Sequence, residues 1–195
     1  MSLEAAIDQI KTVSLPAPLP VPVGDLAPAI VGALSALEVG DWWVPGLRER
    51  AGGVLRGAPE ERLSSLHGAR PYRMAPISLA PALRALYAVG LADSDSSRAV
   101  LVHLGPGSIA DGAFYEALNL AVRRKAHVLF LVNLPSFGEN TPVSAQLNGD
   151  ISAIAAGFGI PVHRVDRNDA NAVRAGVSQA RLSTGPQLIL AVEPT

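Results

Sequence analysis

The chain has 195 residues, of which 49% are hydrophobic and 17% charged, and its formal net charge is −1. This length suits one domain with a sizeable core, and the near-neutral charge gives no reason to expect a nucleic acid or an anionic membrane as partner. The lack of cysteine excludes disulfides and thiolate metal sites. Since no N-terminal signal pattern is present and every apolar run is shorter than the ~20 residues of a membrane helix, we expect a cytoplasmic protein.

The N-terminal part consists of a predicted amphipathic helix over residues 3–11 and a proline-rich arm over residues 14–23. Proline at every second position from 16 to 22 forbids a helix and favours an extended polyproline conformation. The arm either packs on a protein surface or serves as ligand for a proline-recognising module, and its interleaved leucine and valine favour packing on this chain or its neighbour. We therefore divide the chain into an N-terminal segment, 1–23, and one domain, 24–195.

Helical patterns and apolar runs then alternate along the domain. Asp25 is predicted to cap the first helix of the domain, and Gly40 lies just beyond its end. The predicted helices cover residues 25–38, 46–56, 59–67, 79–92, 112–125, 150–158 and 169–183. Short apolar runs rich in β-branched residues predict strands over 99–104, 127–132, 162–165 and 187–192.

This alternation predicts an α/β fold with three layers, in which a parallel sheet is covered by helices on both faces. In such sheets ligands bind beyond the carboxyl ends of the strands. Two segments occupy such ends, namely Gly105–Gly107 and Leu134–Pro135. If the domain binds a ligand, the sequence therefore predicts the site at these segments.

Other kinds of site have little support in the sequence. The histidines are scattered without metal-type spacing, which favours structural roles for all of them: His67, His103, His127 and His163. The glycines around residue 106 have the wrong spacing for a dinucleotide loop, and no nucleophile elbow of a hydrolase is present. Trp42 and Trp43 are adjacent, so they cannot both point inward from a regular element. One of them is either an interface residue or a half-exposed surface aromatic.

Residues 100–142 resemble the thiamine-diphosphate segment in the alpha subunits of 2-oxoacid dehydrogenases. In that family one strand ends in Gly-Asp-Gly, the following helix carries an F-x-E-A-L-N stretch, and a second strand ends in Asn-Asn. This chain has Phe114, Glu116 and Asn119 in the helix and keeps Gly105 and Gly107. The resemblance implies the thiamine-diphosphate-binding fold, and it places Phe114, Glu116 and Asn119 at a subunit contact.

The resemblance also implies where magnesium and the cofactor diphosphate are bound in the family. The aspartate and an asparagine there hold a divalent cation, whose preferred ligands are oxygen atoms. The corresponding positions here carry Pro106, Leu134 and Pro135, none of which has a side-chain oxygen. Asn133 is one residue away, and a shift by one residue would turn its side chain to the other face of the strand. We therefore expect no metal ligands in this chain.

The upstream sequence extends the resemblance. Residues 40–50 are similar to the family's G-D-W-x-x-x-x-Y-R-E-H segment, whose tyrosine and arginine contact the diphosphate; Leu47 replaces the tyrosine and Arg48 retains the arginine. Around residues 68–76 the chain is shorter than the family and lacks an active-site loop, and a second loop is expected to be absent after residue 195. Arg48, Gly105, Gly107 and Ser108 are thus the candidate cofactor-binding residues, of a vestigial kind.

Three functional hypotheses follow from these features. The first is a non-catalytic homologue with no cofactor, retained as a homodimer or as a structural or regulatory partner of a related dehydrogenase chain. The second is a divergent alpha subunit that binds thiamine diphosphate with magnesium and acts with a separate beta chain on pyruvate or a branched-chain 2-oxoacid. The third is a cleft that binds another anion or a small molecule through Arg48, Ser108 and a helix N-terminus near Gly112.

Overall fold

A computed structural model describes residues 1–15, 22–63, 69–138 and 140–194. Its centre is a parallel sheet of five strands in the spatial order β1-β2-β3-β7-β6. These strands are Trp42–Val44 (β1), Val100–Leu104 (β2), Val128–Leu134 (β3), Val162–Asp166 (β6) and Gln187–Val192 (β7). The predicted strands are present within two residues at each end, whereas β1 was not predicted because three residues are too few to show a pattern.

Helices cover both faces of the sheet, which confirms the predicted three-layer α/β fold. One face packs against Leu3–Thr12 (α1), Ala27–Ser35 (α2) and Ala170–Arg181 (α9), and the other against Leu83–Ser94 (α4), Gly112–Arg124 (α6) and Ile151–Gly157 (α8). Shorter helical and strand segments complete the described chain: Glu60–Leu63 (α3), Pro106–Ile109 (α5), Val143–Gln146 (α7), the 3-10 helices Gly24–Leu26, Glu49–Arg56 and Arg70–Tyr72, and the hairpin strands Phe137–Gly138 (β4) and Thr141–Pro142 (β5).

The crossover helices begin at aspartate caps. The side chains of Asp111, Asp150 and Asp169 each accept a hydrogen bond from the backbone N–H two residues later, at 2.8–2.9 Å. Such caps satisfy donors that the first turn of a helix leaves unpaired. They explain why α6, α8 and α9 start within one residue of the predicted positions.

The prediction that Asp25 caps a helix over 25–38 is wrong. A 3-10 turn covers Gly24–Leu26, and α2 runs only from Ala27 to Ser35. The Asp25 carboxylate instead accepts a hydrogen bond from Arg167 Nη2 at 2.7 Å. A charge-assisted bond of this kind outweighs a cap, because both partners are ionised.

The N-terminal helix shares the core of the domain. Ala6 and Ile10 of α1 are buried in the same apolar cluster as α2, as are Leu15 and Val23. Residues 16–21, which include most of the proline-rich arm, lie outside the described residues, as do 64–68 and with them His67. The division at residue 23 stays a prediction.

A buried carboxylate joins the elements at the amino edge of the sheet. Asp41 is fully buried and precedes β1. It accepts hydrogen bonds from Arg181 Nε at 2.6 Å, at the end of α9, and from the backbone N–H groups of Glu38 at 2.8 Å and Ala99 at 3.2 Å. The aspartate of the G-D-W segment therefore has a structural role, on the edge opposite to the carboxyl ends of the strands.

Two expectations about aromatic residues have different outcomes. Trp43 is fully buried, while Trp42 is half-buried with the Arg73 guanidinium 5.2 Å from its ring centroid, so the prediction that only one points inward is confirmed. The expectation that Phe114 lies at a subunit contact is wrong. Its ring is fully buried and packs edge-on against Phe130, with the centroids 6.2 Å apart.

None of the described helices combines the length and apolar character needed to span a bilayer.

Candidate functional site

A cleft of about 490 Å³ opens at the carboxyl edge of the sheet, where parallel α/β folds bind their ligands. Its walls come from the 3-10 turn Gly24–Leu26, from the turns after β1, β2, β3 and β6, from the start of α4 and from the end of α7. The lining residues that carry polar side chains are Asp25, Arg48, Glu49, Arg84, Ser108, Asn133, Gln146 and Arg167. All four candidate cofactor-binding residues, Arg48, Gly105, Gly107 and Ser108, line it as well.

The turn after β2 forms the floor of the cleft. Gly105 has extended backbone, and the chain then enters α5 directly at Pro106. Pro106 is buried beneath the hairpin that follows β3, so closely that a Cβ atom on Gly138 would lie 3.1 Å from it and 2.8 Å from Gln146 Nε2. Position 106 is therefore held between two turns, and its side chain has only carbon atoms to offer to the cleft.

The end of β3 differs from its prediction. Asn133 lines the cleft together with Pro135, whereas Leu134 packs on the opposite face, against the core cluster that contains Phe130. The expectation that Asn133 faces away from the site was wrong, because alternation along the strand turns residues 133 and 135 to the same side. Of the positions assigned to metal ligands, 106 and 135 line the cleft and 134 does not.

Arg167, which the sequence reasoning did not single out, organises this part of the cleft. Its side chain is only 3% exposed, and its Nε donates to Asn133 Oδ1 at 3.0 Å. Its Nη2 donates to Asp25 Oδ2 at 2.7 Å, and its Nη1 lies 3.7 Å from Glu193 Oε1. A permanent positive charge therefore occupies the region next to the Asn133 side chain.

Asp25 links this group to the family arginine. Arg48 Nη2 lies 3.6 Å from Asp25 Oδ1, and Arg48 Nε donates to the carbonyl of Pro22 at 3.3 Å. Burial acts to raise the pKa of Asp25, but the hydrogen bond from Arg167 and the charges of Arg167 and Arg48 outweigh it, so the pKa is lowered. Asp25 is thus ionised at neutral pH.

Arg84 is the third arginine of the cleft, and it too was missed. It lies in the first turn of α4, is 6% exposed, and its Nη2 donates to Ser108 Oγ at 3.1 Å. The only charge in the predicted helix over 79–92 is this arginine. A single charge on an otherwise apolar helix was the signal that could have identified it, since such a charge is seldom buried without a purpose.

The comparison with known families now decides the assignment. The family model described as "Dehydrogenase E1 component" matches residues 72–189, more than half of the chain. This stretch includes Arg84, both strand ends and Arg167. The chain belongs to the dehydrogenase E1 component family.

Two relatives within this family are named as alpha subunits. The chain is 33% identical over 181 residues to the 3-methyl-2-oxobutanoate dehydrogenase subunit alpha of Mycobacterium tuberculosis, a match that covers 84% of this chain and 49% of the relative. It is 30% identical over 176 residues to the pyruvate dehydrogenase E1 component subunit alpha of Mycoplasma genitalium, covering 82% and 49%. The chain thus spans about half the length of these relatives, and the resemblance given above is confirmed.

The fold has wider structural relatives. A transketolase from Leishmania mexicana superposes with a TM-score of 0.72 at 14% sequence identity, covering 99% of this chain and 36% of that chain. A transketolase from Campylobacter jejuni gives 0.69 at 19% identity, covering 97% and 35%. At these identities the likeness concerns the fold alone.

A divalent cation does not fit the side chains of this E1-family chain at the ends of β2 and β3. Pro106 and Pro135 offer no side-chain oxygen, and the oxygen of Asn133 already accepts a hydrogen bond from Arg167. Among the described residues, no group of three or more histidine, aspartate or glutamate side chains is placed to hold a metal ion. An anionic group fits better, because the cleft is lined by three guanidinium groups and only two carboxylates, Asp25 and Glu49.

The helix N-terminus near Gly112 does not serve as an anion site. The first turn of α6 is capped by Asp111, whose Oδ1 accepts from Ala113 N at 2.9 Å. This carboxylate occupies the place of an anion and brings a negative charge. The part of the third hypothesis that relied on this helix is therefore wrong, while Arg48 and Ser108 do line the cleft.

His103 lies in β2 behind the cleft and packs edge-on against Trp43, with ring centroids 6.0 Å apart. Burial lowers its pKa to about 4; nearby Glu49 opposes this shift and Arg84 adds to it. His163 in β6 pairs with the side chain of Gln187 at 3.0 Å. Both histidines contact other side chains of the fold, in agreement with the structural roles predicted for them.

We expect His103 to make the fold sensitive to mild acid. An unfolded histidine titrates near ~6.5, so between that value and about 4 the unfolded state binds more protons than the folded state. The free energy of unfolding therefore falls as the pH is lowered through this range, by up to about 1.4 kcal/mol per pH unit. Urea unfolding at about pH 7 and about pH 5 measures the difference.

The variant His103→Gln is expected to reduce this difference. Some dependence is retained, because burial also lowers the pKa of His127. The comparison is between two pH values for each protein, so a constant loss of stability in the variant does not affect it. An unchanged difference in His103→Gln would contradict the prediction.

Proposed function

We propose that this chain is the alpha-type component of a thiamine-diphosphate-dependent 2-oxoacid dehydrogenase and that it acts with a separate beta chain. The observation that carries the proposal is the cleft at the carboxyl edge of the sheet, lined by Arg48, Arg84 and Arg167 in a chain of the E1 family. Guanidinium groups are suited to bind phosphate oxygens. The relatives are named as alpha subunits, which supports a second chain.

The residues of this chain would bind and position the cofactor. Arg48 and Arg84 face the cleft with donors for a diphosphate, and Arg167 holds Asn133 and Asp25 in place through its hydrogen bonds. Thiamine diphosphate, when bound, supplies the carbanion chemistry that a 2-oxoacid decarboxylation needs. By the family resemblance, the group that activates the cofactor comes from the beta chain.

The competing hypothesis is a non-catalytic partner that has lost the metal and cofactor site. One observation favours it, namely that positions 106, 134 and 135 provide no side-chain oxygen. Such a chain would be retained for its association surfaces, either as a homodimer or with a dehydrogenase chain. Candidate surface residues are Glu116 and Asn119 on α6 and the exposed Leu83 and Tyr87 on α4.

Reconstitution with a beta-type chain of the family tests the two hypotheses. We expect a complex that releases carbon dioxide from pyruvate or from 3-methyl-2-oxobutanoate only when thiamine diphosphate is added. Arg48→Ala is expected to raise the cofactor concentration needed for half-maximal rate by about tenfold, because a charge-assisted contact is lost. Arg123→Ala, on the exposed last turn of α6, is the matched control.

A stable complex with no turnover of either substrate would favour the non-catalytic partner instead. Native mass spectrometry of the chain alone would then show whether it forms a homodimer. The cytoplasmic location expected from the sequence stays a prediction.

A further inference from the structure

Among the three arginines of the cleft, Arg84 has the fewest partners within the described residues. Arg84 is only 6% exposed, and its Nε is buried without a hydrogen-bond partner among the described residues. Its one hydrogen bond in the described part of the chain goes from Nη2 to Ser108 Oγ. A guanidinium has five N–H donors, and leaving buried donors unpaired is costly. Arg84 thus has donor capacity that a ligand of the cleft can use.

The other two arginines of the cleft are more fully engaged. Arg167 contacts Asn133, Asp25 and Glu193, and Arg48 contacts Asp25 and the Pro22 carbonyl. Arg84 faces Glu49 across Gly46, where a Cβ atom would lie 2.6 Å from Arg84 Nη1 and 2.2 Å from Glu49 Oε2. The absence of a side chain at this glycine lets the turn after β1 pack closely against the guanidinium.

Arg84 and Arg167 lie beside the two strand ends where the family resemblance places the metal ligands. Ser108 lies two residues after Pro106, and both line the cleft with Arg84. Arg167 lies beside Asn133 at the next strand end. Where the family resemblance places one divalent cation between two strand ends, this chain has a guanidinium at each of them.

We propose that Arg84, with Ser108 and Arg48, binds the terminal phosphate of a diphosphate ester directly, so that this site requires no divalent cation. The proposal rests on the proposed function for the identity of its ligand. Planar guanidinium groups bind phosphate oxygens through paired hydrogen bonds, and Ser108 Oγ can donate to the ligand while it accepts from Arg84. The positive charge of Arg84 takes the place of part of the double charge that magnesium supplies in the family.

Calorimetric titration of the full chain with inorganic pyrophosphate tests the proposal. We expect binding in EDTA that is as tight as binding in excess magnesium, within about twofold. Arg84→Gln is expected to weaken binding in EDTA by about tenfold or more, and Ser108→Ala by a smaller factor. Arg123→Gln removes one exposed positive charge at the opposite edge of the sheet and is expected to bind as the unchanged protein does.

Two further measurements keep the test decisive. Thermal unfolding followed by circular dichroism shows whether Arg84→Gln is folded. If it is not, Arg84→Lys is used instead, because it keeps the charge and loses the paired donors. Its affinity for pyrophosphate is expected to fall by a smaller factor. Titration with orthophosphate in parallel separates a diphosphate site from a general phosphate site. Binding of orthophosphate as tight as that of pyrophosphate would overturn the assignment to a diphosphate ester.

Binding that occurs only with magnesium would overturn the proposal, as would binding that Arg84→Gln leaves unchanged or no binding under either condition. These results differ from a failure of the proposed function, which is measured as turnover in the reconstituted complex. Metal-independent pyrophosphate binding without turnover would support the site in a chain that does not catalyse. Turnover that requires magnesium would support the function and contradict the site.

Discussion

Replacing Asp41 by alanine is expected to lower the free energy of unfolding by about 3–5 kcal/mol, the cost of removing one partner from a buried ion pair. The carboxylate is fully buried and accepts hydrogen bonds from Arg181 and from the backbone of Glu38 and Ala99. Its removal leaves two backbone donors without their acceptor and takes one of two carboxylates from Arg181, which keeps only its ion pair with Glu38 at 2.9 Å. Chemical denaturation followed by circular dichroism measures the loss.

An exposed ion pair provides the matched control for Asp41→Ala. Asp93 lies 3.7 Å from Arg124, and both side chains are about half exposed or more. Asp93→Ala is expected to change the free energy of unfolding by less than about 1 kcal/mol, because such pairs are screened by solvent. Equal losses in the two variants would contradict the structural role of Asp41.

Replacing Phe114 by alanine is expected to cost about 3–5 kcal/mol, because the ring leaves a cavity in a packed core. Phe114 is a fully buried residue of α6 and contacts Phe130 and Tyr115 edge-on. A residue at a subunit contact would behave differently: its loss would weaken association and leave the isolated chain stable. Denaturation of the isolated chain therefore separates the two roles.

The control for Phe114→Ala is a large apolar residue on the surface. Leu182, at the end of α9, is 79% exposed. Leu182→Ala is expected to change stability by no more than about 0.5 kcal/mol. A loss in Phe114→Ala as small as that in the control would contradict the assignment of Phe114 to the core.

Periodicity was sufficient to predict the main elements of the sheet. Buried parallel strands must be nearly continuous apolar runs, and β2, β3 and β7 have that composition. The aspartate caps marked the starts of α6, α8 and α9. The same reasoning failed for Asp25, because the sequence does not show that Arg167, 142 residues away, donates a hydrogen bond to its carboxylate.

The candidate site was predictable in place but only partly in chemistry. The glycines and the retained arginine led to the correct edge of the sheet, and Arg48, Gly105, Gly107 and Ser108 do line one cleft. Asn133 was expected to face away from the cleft because it lies one residue before position 134, which was taken as a ligand position. The facing direction of a residue at a strand end depends on where the strand ends, which pairing with β7 sets.

The sequence by itself determined the family, the α/β class and the absence of side-chain oxygens at positions 106, 134 and 135, since these follow from local patterns and from the residues present. Only the tertiary structure brought Arg84 and Arg167 into the cleft, from a helix and a loop 83 residues apart in the chain. It also separated Asp41, buried at the amino edge of the sheet, from the ligand-binding edge. The physical reason is that charge compensation acts through space, so the partner of a buried charge is decided by how the layers pack and not by its neighbours in the sequence.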